Sequence, residues 1–119
     1  MFQTAAYKNN AVSTLAPDQI VVQLYDGAIK FLNQAILELQ AGRHFEKGQR
    51  INKAIAIIEE LNVALDMEVG GDISINLRRL YVFMVDHLNK ANLAKDPQKI
   101  KEVISLLKDL NEAWRRISA

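Results

Sequence analysis

Two histidines, His44 and His87, are the only imidazoles in a chain that has no cysteine. In a helical protein such residues matter most as part of Glu-x-x-His, which sets a carboxylate and an imidazole on one helix face for a carboxylate-bridged di-metal centre. Three residues before the histidines stand Ala41 and Met84, so the motif is absent at both. Covalent haem attachment needs cysteine, and His87 falls off the main apolar stripe of its segment. Both histidines read as surface residues. Gly70-Gly71 lies between two helical stretches without the strand a dinucleotide fingerprint requires, so it reads as a helix terminator. Ser13 and Thr14 have no histidine–carboxylate relay, and no pair of carboxylates is placed for acid–base work. The chain reads as a non-enzyme that uses no metal and no cofactor. Three tyrosines remain. Tyr25 and Tyr81 lie on apolar faces, where each is either a core residue with its hydroxyl at the bundle edge or a groove residue facing a partner. Tyr7, outside the patterned region, is either a lid or a contact for a second partner.

The elements that must position these residues are helices. The chain has 119 residues, half of them hydrophobic and a quarter charged, with a formal net charge of +1. That suits one domain with a real core and argues against a nucleic-acid binder, which carries a basic face. The basic residues of the C-terminal third (Lys90, Lys95, Lys99, Lys101, Lys108, Arg115, Arg116) are interspersed with acids and read as a solvated surface. No apolar run has signal-peptide length, and none approaches the roughly 20 residues that span a bilayer. The expectation is a soluble protein that is not exported by a cleaved signal.

Residues 1–16 form a weakly patterned lead, a short helix or mobile segment that carries Phe2, Tyr7 and Val12. Pro17 suits the first position of a helix, and the first long helix is predicted to run to Ala41, with Gly42 as its stop. A second helix is predicted over Glu46–Glu68, ended by Gly70-Gly71, and a third over Ile73–Lys95 with Asp72 as N-cap. The third has a main stripe of Ile73, Leu77, Leu80, Tyr81, Met84, Leu88 and Ala91, and a minor stripe of Ile75, Val82 and Leu93. Asp96-Pro97 is a clear start for a fourth: an N-cap aspartate, then proline where no N–H is needed. Ile100, Val103, Ile104, Leu107, Leu110, Trp114 and Ile117 follow at three- and four-residue steps. Strand signals are absent. Four long helices with short loops predict an all-α, antiparallel up-down four-helix bundle over residues 17–119.

The first helix carries more apolar surface than a single contact face needs. From Ile20 to Leu39 its apolar residues cover roughly 200° of the wheel, where a surface helix needs somewhat more than about 100°. Those of the second span about 180° on the same wheel. A helix wedged between two neighbours explains this as core. A binding groove or an oligomer interface explains it as surface for a partner. On the second reading the groove candidates are Tyr25, Ile29, Leu32, Ile36, Ile57, Leu61, Leu65 and Tyr81, and Tyr7 and Val12 fold back over the groove as a lid.

Leu24-Tyr25-Asp26-Gly27-Ala28, with Thr14 and Pro17 ahead of it, resembles the signature of the flagellin-specific export chaperones, the FliS family. Leu65-Asp66, Glu68, Gly70-Gly71, Ile73, Asn76-Leu77, Leu80-Tyr81, Leu88 and Ala91-Asn92 follow the family pattern in order and spacing. Glu112-Ala113-Trp114 matches its C-terminal tryptophan, and Tyr7 and Val12 fit its N-terminal lead. The resemblance covers almost the whole chain. Ala16 departs from it where serine is usual, at a cost of about 1 kcal/mol in helix capping. Ser74 departs where a small apolar residue is usual.

The resemblance implies a cytoplasmic bacterial chaperone that works without ATP or cofactor. Such a protein binds the C-terminal segment of flagellin, prevents its premature polymerisation and delivers it to the flagellar type III export apparatus. It also implies a contact with an export-gate protein, for which Tyr7 and Val12 are candidates. Helix-in-groove recognition would suit such a client. The alternative from a different class is a non-catalytic helical-bundle adaptor that uses the same stripes as a permanent homodimer.

Overall fold

A computed structural model describes residues 17–65 and 67–118, so Tyr7, Val12 and the boundary proposed at residue 16 lie outside the described residues. Four helices follow one another: α1 Pro17–Gln40, α2 His44–Val63, α3 Met67–Ala94 and α4 Pro97–Ser118. No strand occurs among the described residues. Each helix packs on its neighbours in the chain, and α4 closes on α1, with α1 making the broadest contacts, against α2 and then α4. The result is the all-α, up-down four-helix bundle expected.

The loops show why the chain turns where it does. After α1, Gly42 has φ +76°. Its N–H reaches the Leu39 carbonyl at 3.0 Å, and Arg43 N–H reaches the Glu38 carbonyl at 2.9 Å. That is a Schellman end, which favours glycine at the left-handed position. Before α4, Asp96 Oδ1 accepts the Gln98 N–H at 2.9 Å, so the expected aspartate cap with proline behind it is in place.

The second corner differs from expectation. α2 ends at Val63, not near Glu68, and Ala64 N–H bonds to the Glu60 carbonyl at 3.1 Å. α3 then begins at Met67 and breaks at Gly71, whose φ is +53° and ψ −127°. The regular run expected from Ile73 starts just beyond this break. A side chain at Gly70 would collide with Ser74, which is buried. The paired glycines therefore do terminate a helix, but it is a one-turn lead of α3.

The core is drawn from all four helices. Tyr25, Leu32, Ile51, Ile58, Met84, Leu88, Ile100 and Leu107 have no more than trace exposure. At one end Lys47 is buried, and its ammonium donates to the Asn92 carbonyl at 2.9 Å and to Asn92 Oδ1 at 2.5 Å. It ties the first turn of α2 to the last turn of α3, where free helix carbonyls favour a cation. Burial, and then the charge of Lys95, lowers the Lys47 pKa.

Candidate functional site

Consecutive residues Tyr25, Asp26 and Gly27 of α1 each meet a different part of the bundle. The Tyr25 hydroxyl lies 2.5 Å from that of Tyr81 on α3, and the Trp114 indole of α4 also hydrogen-bonds to it. An indole N–H can only donate, so Tyr25 oxygen is its acceptor. Asp26 faces α4: Asn111 Nδ2 donates to its Oδ1 at 2.7 Å, and Arg115 Nη2 donates to Oδ1 at 2.8 Å and Oδ2 at 2.7 Å. Gly27 faces α2, where a Cβ would stand 3.3 Å from Ile57 Cδ1. Burial pushes the Tyr25 and Tyr81 hydroxyls above the ordinary tyrosine range, and Tyr25 itself adds to the shift at Tyr81. Both stay neutral near pH 7. This junction is architectural, a polar knot that joins helices through an otherwise apolar interior.

Five of the eight groove candidates belong to the core. Tyr25, Leu32, Ile36, Leu61 and Tyr81 are buried, whereas Ile29, Ile57 and Leu65 keep part of their surface open. The expectation of one open groove lined by all eight is therefore corrected. α1 is wedged between α2 and α4, and its wide arc feeds two packing faces. His87 is corrected too. Its side chain is only 14% exposed and its Nε2 lies 2.6 Å from Glu102 Oε1 of α4, while its ring stacks on Phe83 with centroids 4.8 Å apart. His44 is exposed.

The open surface lies elsewhere. A groove of about 300 Å³ runs between α2 and α3. Ile58 and Tyr81 form its floor, Val82 and Val85 its apolar wall, and Glu59, Asn62, Asp86 and Asn89 its polar rim. Val82 is 57% exposed, and Ile75, two turns earlier on the same helix, is 39% exposed. Phe83 beside Val82 and Val63 beside Asn62 are exposed as well. Ile75 and Val82 belong, with Leu93, to the minor stripe noted in the sequence, which the choice of groove residues passed over in favour of the wider arcs. Phe83 and Val63 gave no periodic signal. Polar side chains line most of a second depression, between α1 and α4: Asp26, Lys108, Asp109, Asn111, Glu112 and Arg115, with Ile29 as its apolar member.

Among the described residues no cluster of acids and histidines could hold a metal ion, and no helix is long and apolar enough to cross a membrane. Nothing at the groove offers a nucleophile with a base. Its chemistry is that of a surface which can take an apolar guest between hydrogen-bonding rims.

The chain's relatives give that surface a context. A flagellar protein from Salmonella typhimurium, named flagellar secretion chaperone FliS, is 44% identical over 110 residues, which cover 92% of this chain and 82% of that protein. The Vibrio cholerae protein of the same name is 41% identical over 116 residues, 94% of this chain and 85% of its own. The Bacillus subtilis protein, again of that name, is 30% identical over 111 residues, covering 93% and 82%. These names describe chaperones and not catalysts. The family model described as flagellar protein FliS matches residues 1–119, and the chain belongs to that family.

Proposed function

We propose that this protein is a flagellar export chaperone that binds the C-terminal segment of flagellin in the bacterial cytoplasm. It keeps that segment from polymerising prematurely and delivers it to the flagellar type III export apparatus. The observation that carries the reading is the exposed apolar pair on α3, Ile75 and Val82, beside the α2–α3 groove in a chain of this family. Filament-forming helices expose apolar stripes of their own, which a groove with anchors at helical spacing can cover. A client segment that orders on binding gives up several kcal/mol of the gross contact energy, which keeps the complex releasable. The part-open residues Ile29, Ile57 and Leu65 extend the surface available to such a segment. Tyr25, Leu32, Ile36, Leu61 and Tyr81 support it from below. The lid and export-gate contact expected of Tyr7 and Val12 fall outside the described residues.

Titration calorimetry with peptides tiling the flagellin C-terminal region tests the proposal. One peptide should bind one-to-one, and Val82→Asp should weaken it about thirtyfold or more, as expected of a central apolar anchor. Light scattering supplies the opposing outcome: a stable dimer indifferent to every peptide would favour the homodimeric adaptor.

A further inference from the structure

Tyr81 is both a floor residue of the α2–α3 groove and a partner of Tyr25. Its ring is 2% exposed and its hydroxyl is 2.5 Å from that of Tyr25, which is fully buried on the far side of the core. Tyr25 in turn accepts the Trp114 indole hydrogen bond from α4. The hydroxyl of Tyr81 is thus satisfied inward, away from the groove. A buried hydroxyl without a partner is costly, so a tyrosine that loses one turns toward the nearest water. For Tyr81 the nearest opening is the groove it lines.

We infer that Tyr25 is a positioning residue for client binding: its hydroxyl draws Tyr81 into the core, and so keeps the groove open between Ile58 and Val82. Tyr25 does this without touching the client. The inference rests on the reading of the α2–α3 groove as the client site. It explains why a polar pair spans the interior, where two phenylalanines would pack as well and leave only the Trp114 indole N–H to satisfy. With phenylalanine at both positions the groove floor also stays down, because no hydroxyl then seeks water. The two tyrosines are therefore coupled in a way that a simple packing role does not produce.

The experiment compares four proteins: wild type, Tyr25→Phe, Tyr81→Phe and the double variant, each titrated with the bound flagellin peptide. Tyr25→Phe should lose about tenfold in affinity, about 1.4 kcal/mol of binding free energy. Tyr81→Phe and the double variant should stay within about threefold of wild type, so the second substitution rescues the first. Val103→Ala, a core truncation on α4, serves as the stability control and should leave affinity unchanged. A second readout needs no client. Tyr81 is closed to solvent in the wild type and should resist nitration, whereas in Tyr25→Phe its ring should face the groove and react. Wild-type affinity in Tyr25→Phe, a double variant weaker than the single one, or a tenfold loss in Val103→Ala overturns the inference. If Val82→Asp binds as wild type, the groove reading fails on its own. Positioning of Tyr81 is then decided by the nitration, and an unchanged Tyr81 reactivity overturns it.

Discussion

The two seams that flank the bundle are closed by different means. Between α1 and α4, directional polar contacts do the holding: Asp26 takes hydrogen bonds from Asn111 and Arg115, and Tyr25 takes one from Trp114. Between α2 and α3 the buried polar tie, Lys47 to Asn92, sits at one end only, and farther along an exposed Arg78–Asn62 hydrogen bond of 3.2 Å lies near a groove with apolar walls. Geometry at the first seam allows one arrangement, because a carboxylate shared by an amide and a guanidinium fixes the register of both helices. Apolar walls at the second tolerate many partners of similar shape. The contrast teaches a division of labour: one side of the bundle specifies the fold, and the other stays available.

Paired substitutions test that division most severely. Asp26→Ala leaves the Asn111 amide buried with no acceptor for its N–H, beside an Oδ1 that already lacks a donor. The Arg115 pair is half exposed on both sides and adds little. We expect a loss of about 2 to 3 kcal/mol, mostly from Asn111. Val82→Asp, on the other seam, should change stability by less than about 0.5 kcal/mol while it removes peptide binding. Urea unfolding of the two variants reads this directly. Equal destabilisation would mean that the α2–α3 wall holds the fold as firmly as the clasp does.

Next in size is the glycine corner that opens the available side. A Cβ at Gly70 meets both Oγ and Cβ of buried Ser74. Oγ can rotate away, but Cβ cannot without moving the turn. Gly70→Ala should cost about 2 kcal/mol, in the range of overpacked sites, and should lower peptide affinity if the turn carries α3 with it. Wild-type stability would show that the lead turn of α3 shifts freely.

Most of this architecture was legible in the sequence, for reasons that differ from place to place. Asp96-Pro97 and Gly42 mark helix ends because their backbone chemistry is local and admits few alternatives. The end of α2 was not legible, because Ala64 and Leu65 continue the apolar pattern and no glycine or proline precedes Gly70. The groove residues were misplaced for a related reason. A wide apolar arc reports how many neighbours a helix has, and on α1 both neighbours are its own bundle. The useful signal was the narrow stripe Ile75–Val82, set apart from the core face of α3. Asn111 and Arg115 carried no signal, since their role depends on Asp26, 85 and 89 residues away in the chain.

A smaller effect, of opposite sign, belongs to the α3–α4 corner. Lys95 has φ +53° in a position that Gly42 fills at the α1–α2 corner, and Asp96 N–H closes the turn on the Ala91 carbonyl at 3.0 Å. A left-handed conformation strains a residue that has a Cβ. Lys95→Gly should therefore stabilise by about 1 kcal/mol. It also removes a charge that opposes the Lys47 ammonium, which moves the Lys47 titration up toward the ordinary lysine range. A lower melting temperature would mean that the lysine side chain makes a contact worth more than the strain.

The smallest effect concerns the seam between α3 and α4, which is neither clasped like the first nor open like the second. His87 Nε2 donates to Glu102 Oε1 at 2.6 Å across it. That hydrogen bond is the main reason the Glu102 carboxyl sits below the usual glutamate range, with Gln98 and the charges of His87 and Lys99 adding to it. A carboxyl whose folded pKa is depressed stabilises the fold above its unfolded value, and the contribution disappears as pH falls through the folded value. Glu102→Gln should therefore lower the melting temperature slightly near neutral pH. The gap to wild type should close as pH drops below the ordinary glutamate range. Because Glu102 is exposed to solvent, salt should shrink the gap as well. An offset that persists unchanged into acid would show that the glutamine disturbs the helix itself and that the seam draws no stability from the pair.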